Sequence, residues 1–159
     1  MKKNVINSIV LLLTGTIAGS FITKRMMDKR VEQNQKMADK HLALFLMMNQ
    51  WVKMKQKGKN LVSYFEQNGY WEVAIYGMGY AGRTLVDELE NSSVRIKYGI
   101  DQNMGIDDER FDIILPEDTF EPVDVIVVTP ITFFAEIAER LREKTDCAIV
   151  SLEDVLFGI

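Results

Sequence analysis

Three glycines at positions 77, 79 and 82 constrain this chain more than any other feature, because of what flanks them. A short apolar strand, Val73 to Tyr76, runs into Gly77-Met78-Gly79-Tyr80-Ala81-Gly82. A helix-like run from Arg83 to Glu90 follows, and then an alternating strand, Val94, Ile96, Tyr98 and Ile100, that ends on Asp101. Strand, G-x-G-x-x-G turn, helix, strand and terminal acid is the pattern of the first βαβ unit of a dinucleotide-binding sheet. In that reading Gly77 permits the tight turn, Gly79 leaves room where a pyrophosphate approaches, and Gly82 lets the helix sit close on the strand. The first amides of the helix lack intrahelical partners and carry the positive end of its dipole, so they face the phosphates. Asp101, 24 residues past Gly77, stands where an acid accepts ribose hydroxyls. Arg83 either donates to a phosphate or pairs with Asp87 one helical turn on. The bland alternative is that the glycines serve only helix and strand packing.

The remaining pattern extends the same sheet. After an acidic loop (Asp107, Asp108, Glu109) come a short strand at 112–115 and the β-branched run 123–128, of the kind buried in parallel sheets. Thr129-Pro130 ends that run, a helix is predicted over 132–144, and a last strand over 148–151 leads into a closing helical turn at 152–157. The order β-α-β-β-β-α-β implies an α/β fold, a small doubly wound parallel sheet ordered 3-2-1-4-5. Thr129 then lies opposite the glycine turn, where it either donates to a ligand or caps the following helix. The sheet region, residues 70–159, amounts to little more than one mononucleotide-binding half plus two strands.

The N-terminal part has a different character. Residues 1–60 carry 12 Lys and Arg against 3 Asp and Glu, net +9, whereas the remaining 99 carry 7 against 20, net −13. The acidic half argues against nucleic acid, whose phosphates require basic surface. Residues 4–23 are uncharged and long enough as a helix, roughly 30 Å, to match a bilayer's hydrocarbon. The expectation is an N-terminal membrane anchor (residues 1–25), with a cleaved signal peptide as the alternative. Gly15 and Gly19 form a small-xxx-small pair. The basic flank Lys24, Arg25, Lys29 and Arg30 predicts a single-pass cell-membrane protein with its C-terminal domain cytoplasmic. Residues 26–69 read as a helical stalk and cap: one long helix to residue 57, then a short helix over 60–67 stopped by Asn68-Gly69. Leu44, Met48 and Trp51 share a helical face that either packs on the sheet or, over 41–54, joins a partner or a second copy into a homo-oligomer.

Little catalytic chemistry is present. The single His41 and single Cys147 exclude a histidine metal cluster, a triad and an internal disulfide. The five tyrosines are followed four residues later by Asn68, Ala74, Tyr80, Thr84 and Gln102, so the Tyr-x-x-x-Lys pair of short-chain dehydrogenases is missing. No catalytic residue and no metal ligand is expected.

Several segments carry a resemblance: Ala-Ile-Tyr-Gly-Met-Gly-Tyr-Ala-Gly (74–82), Tyr-Gly-Ile-Asp-Gln-Asn (98–103), Val-Ile-Val-Val-Thr-Pro (125–130), Ser-Leu-Glu-Asp-Val-Leu (151–156) and Leu-Phe-Leu-Met-Met-Asn-Gln-Trp-Val-Lys (44–53). Together they resemble the small NAD(P)-binding Rossmann-like domains of bacterial capsule and exopolysaccharide biosynthesis, which occur appended to glycosyltransferases and in nucleotide-sugar-modifying enzymes. The resemblance covers about residues 40–159 and implies a Rossmann-like fold, with Gly77, Gly79, Gly82 and Asp101 as nucleotide-binding positions. It implies an accessory protein of polysaccharide synthesis whose ligand is NAD(H) or a nucleotide-sugar and whose partner is a glycosyltransferase or another protein of that synthesis. The absence of an arginine beside Asp101 disfavours NADP. Two other readings stand beside it: an interaction module with a vestigial nucleotide site that docks a membrane glycosyltransferase, and an NAD-dependent nucleotide-sugar-modifying enzyme completed by a partner.

Overall fold

The computed structural model describes residues 2–103 and 105–159, with side chains from Thr23 onward. The chain divides into two compact units, residues 1–42 and 43–159. Helix α1 comprises Lys2–Gln56. In the first unit the described side chains are those of a solvated helix, with Lys36 pairing Glu32 one turn away at 2.7 Å.

The transmembrane part of the expected fold class, and the single-pass membrane localisation derived from it, are corrected here: among the described residues no helix is long and apolar enough to cross a membrane. The physical reason is charge density. From Lys24 to Lys40 a charged residue recurs at least every four positions, and the uncharged run after it, 41–52, falls well short of the ~20 apolar residues a span requires. The side chains of residues 4–22, on which the sequence places the anchor, lie outside the described residues.

The second unit is built on β1 (Glu72–Tyr76), β2 (Arg95–Ile100), β3 (Ile113–Ile114), β4 (Val125–Val128) and β5 (Ala148–Ser151), all parallel and ordered β3-β2-β1-β4-β5. Residues 73–76 of β1 and all of β4 are buried because both faces of these central strands are covered. Val73, Ile75, Val125 and Val127 enter one core with α2 (Val62–Asn68), α3 (Tyr80–Leu89), α5 (Leu152–Phe157) and the 43–56 part of α1. Ala74, Tyr76, Ile126 and Val128 enter the other, under α4 (Phe134–Arg142). A 3₁₀ turn, η1 (Ile131–Phe133), links β4 to α4.

Each helix reaches its core through its own spacing. Helix α3 buries Gly82, Leu85, Val86 and Leu89, and α2 stops at Gly69, whose φ of 71° is the left-handed conformation a helix C-terminus uses. In the 43–56 segment the buried residues are Met47, Trp51 and Met54. That face includes Trp51 as expected but is turned from Met48, which is exposed, to Met47. Positions 47, 51 and 54 keep the i, i+4, i+7 stripe that a helix presents to a core.

At the amino edge of the sheet one Asp124 carboxylate oxygen accepts the backbone amides of Trp71 and Glu72, each at 2.8 Å, tying the start of β1 to the start of β4. Those two hydrogen bonds hold its carboxyl below the ordinary value of 3.8. A depressed pKa means that the stabilisation is present above the unfolded value and disappears as pH falls through the folded one. Acidification from about pH 4 downward is therefore expected to lower the urea midpoint. Asp124→Asn should flatten that acid limb, and an unchanged limb would show that the two amide bonds do not discriminate the ionised form.

Candidate functional site

The carboxyl ends of β1 and β4 meet at the point where strand order reverses, and the glycine turn occupies it. Gly77 has φ +92°, and a Cβ there would meet Pro130 Cδ at 2.7 Å and Thr129 Oγ1 at 2.8 Å, so both backbone conformation and space require glycine. Gly82 lies inside α3, where a Cβ would stand 2.1 Å from the carbonyl oxygen of Gly77. The helix is thus seated directly on the turn. At Gly79, the N-cap of α3, a Cβ would meet nothing within 4 Å. The first intrahelical bond runs from Arg83 N to Gly79 O at 3.0 Å, so the amides of Tyr80, Ala81 and Gly82 precede the ladder and have no intrahelical acceptor.

Two side chains hold this turn from its flanks. Asp101 reaches back from the end of β2, accepting the Met78 amide at 2.7 Å on one oxygen and the Asn103 amide at 2.8 Å on the other. A carboxylate offers about four lone-pair directions, so two remain for a ligand. Thr129 is buried (5% exposed) and donates its hydroxyl to Gly77 O at 2.6 Å, while its amide donates to Tyr76 O at 2.9 Å. The hydroxyl therefore clasps β4 to the turn, a use that neither ligand donation nor helix capping anticipates. Thr129→Val should cost about 1–3 kcal/mol, since it leaves the part-buried Gly77 carbonyl short of a donor. Chemical denaturation measures this; a cost near zero would mean that the clasp is replaced by water.

Arg83 is exposed, and its Nε lies 3.4 Å from the Met78 carbonyl. The alternative of pairing with Asp87 is not what forms: Asp87 pairs Arg110 at 3.0 Å, and Arg110 also grips Asp108 at 2.8 Å. Arg110 thus fastens the 101–112 loop to α3, and its guanidinium holds the Asp108 carboxyl below the ordinary value. This leaves Arg83 at the rim of the turn.

A cleft of ≈ 450 Å³ opens beside the turn, lined by Tyr76, Gly77, Asp101 and Gln102 on one wall and by Pro130, Phe133, Glu136, Ile137 and Arg140 on the other. It brings together Gly77 and Asp101 of the sequence-derived set, while Thr129 lies beneath it as a support. Tyr76 is the buried floor. Burial raises its phenol pKa, opposed by the nearby Arg140 and by a hydrogen bond with Gln102, so the hydroxyl remains a donor at neutral pH. No motif in the sequence marks the α4 wall. Glu136 and Arg140, 3.4 Å apart, read in sequence as an ordinary i, i+4 surface pair. Only the topology, which packs α4 against β4 and β5 and makes it one wall of the cleft, brings them to the same cleft as Asp101. Arg140 also supplies the cleft with a guanidinium.

No protein-family model matches the chain, and neither a curated protein nor a solved structure shows significant similarity to it. Fold and site define a class by geometry alone: an α/β protein with a five-stranded parallel sheet and a polar-rimmed cleft at its topological switch point. Among the described residues no group of His, Cys, Asp and Glu is arranged to hold a metal ion.

Proposed function

We propose that the 43–159 unit binds a nucleotide, NAD(H) or a nucleotide-sugar, and that the protein acts as an accessory component of polysaccharide synthesis. The observation that carries the binding is the space at Gly79, where a Cβ would meet nothing within 4 Å, next to three α3 amides without intrahelical acceptors and to Asp101, which lines the cleft together with Gly77. Phosphates occupy the α3 terminus, ribose hydroxyls donate to the free lone pairs of Asp101, and the base enters between Ile137 and Phe133. The pathway rests on the resemblance of segments 74–82, 98–103, 125–130 and 151–156 to the Rossmann-like domains of that synthesis. Titration calorimetry of the full chain with NADH, NADPH and UDP-sugars tests the binding; absence of heat at millimolar ligand would sink it.

An interaction module with a vestigial site is favoured by a different observation. Phe45, Leu46 and Val52 of the 43–56 segment are more than half exposed on the side of the helix away from Met47, Trp51 and Met54. In that case polar substitutions at Phe45 and Val52 abolish complex formation in cells and loss of nucleotide binding has no effect.

A further inference from the structure

We propose that α1 pairs with the α1 of a second copy of this chain, as a parallel, in-register two-stranded coiled coil over residues 27–52. The pairing does not draw on the nucleotide site, and it commits the exposed face around Phe45 and Val52 to one occupant.

A seven-residue repeat carries it. Val31, Ala38, Phe45 and Val52 recur every seven positions, and so do Met27, Asn34, His41 and Met48. The two series interleave at spacings of four and three, the a and d positions of a heptad. Helix α1 runs without interruption through all eight residues, and all eight are exposed. None of the nine charged residues from Arg25 to Lys53 falls on this seam, and Lys24 and Lys55 close its two ends. A straight helix drifts about 20° per heptad against such a repeat, so the eight positions form one continuous line only where the helix supercoils around another helix.

The seam is separate from the face that the sheet uses. Met47, Trp51 and Met54, which enter the core, occupy heptad positions c and g. At about 100° per residue they lie roughly 110° around the helix from the seam, so a second helix reaches Phe45, Met48 and Val52 without displacing them. The open apolar surface is sufficient for a stable pair. Met27, Val31, Phe45 and Val52 are 52–65% exposed and Met48 38%, and beside the seam Met37 and Leu42 are more than half exposed. With on the order of 60–100 Å² open on each of these side chains, two copies bring together roughly 800–1,400 Å² of apolar surface, which reaches the size of a specific interface.

The polar positions select an identical partner in parallel. In register, Asn34 meets Asn34 of the other copy, amide against amide, and His41 meets His41, which is how a polar seam residue fixes register. Reversing one helix over the same span sets Asn34 against Phe45, where its amide loses water without gaining a partner. On the flanks of the parallel pair, each g residue of one copy faces the e residue of the next heptad on the other. Met37 thereby meets Leu42, and Arg30 meets Gln35, so no like charges oppose each other across the flanks.

Sedimentation velocity on the full chain, from about 1 to 100 μM, tests the pairing. The expected result is a species of twice the 18.3 kDa chain mass. Val31→Glu combined with Val52→Glu should convert it to monomer, whereas Leu46→Glu should not, because Leu46 is as exposed as Val52 but lies off the seam. Val31→Cys in a Cys147→Ser background should cross-link the two copies on oxidation, since residue 31 meets itself in a parallel pair and Met48 in an antiparallel one. Unchanged near-ultraviolet dichroism separates loss of pairing from loss of fold in the glutamate variants; if the fold is disturbed, the cross-link alone decides. A monomer throughout the concentration range, a dimer that survives both seam glutamates, or one that Leu46→Glu dissociates equally overturns the proposal. So does a dimer whose cysteines at position 31 fail to join.

Discussion

Replacing Gly82 with alanine is expected to destabilise the protein by about 3 kcal/mol, the upper range for overpacking a well-filled site. Helix propensity alone points the other way, since alanine in a helix interior is favoured over glycine by roughly 1 kcal/mol. The difference in sign makes the measurement decisive. The new methyl carbon would sit 2.1 Å from the Gly77 carbonyl oxygen and 3.1 Å from its carbon, both backbone atoms of a turn whose φ is already +92°. That same oxygen accepts the Thr129 hydroxyl, so relief by movement breaks the clasp between β1 and β4. Relief by withdrawal of α3 instead opens the contacts of Leu85, Val86 and Leu89, all buried. The readout is the urea midpoint, which should fall with an unchanged slope, the mark of lost stability and not of altered compactness. A midpoint that holds or rises would mean that α3 is not pressed on the turn.

The three glycines therefore have separable reasons for being glycine, and the sequence exposes those reasons unevenly. The spacing alone locates the turn, and the β-branched runs locate the buried strands, because a strand covered on both faces has no polar position to spare. Strand order follows from the parallel crossovers. What spacing cannot report is the partner of each group across the fold. Thr129 and Gly77 lie 52 residues apart, and their hydrogen bond is a consequence of β4 pairing with β1. Arg140 and Glu136 look like solvated helix residues until α4 is laid over the cleft. Helix α3 also starts at Tyr80, three residues before the run that apolar periodicity marks, because Gly79 and Gly82 carry no hydrophobic signal. The rotation from Met48 to Met47 has the same origin: in a helix segment with apolar residues on several sides, periodicity identifies a face only to within a residue.

Gly79→Asp separates binding from folding, and it carries the largest functional effect expected of any substitution in this chain. Gly79 has φ −71° and ψ −161°, extended geometry open to any residue, and nothing lies within 4 Å of its Cβ position. Aspartate is among the preferred N-cap residues, so its carboxylate should accept amides of the first turn of α3 and change stability by no more than a few tenths of a kcal/mol. The same carboxylate then occupies the anion position and presents a negative charge to any phosphate approaching it. Nucleotide affinity should fall at least about 100-fold, or roughly 2.7 kcal/mol, with the urea midpoint unmoved. Loss of both binding and stability would instead indicate that the turn had been rearranged, which the geometry at Gly79 gives no reason to expect. Undiminished affinity would place the phosphates elsewhere and leave the amides of Tyr80, Ala81 and Gly82 to water. In cells the variant also divides the two functional readings: a phenotype follows only where the nucleotide, and not the exposed face around Phe45 and Val52, carries the function.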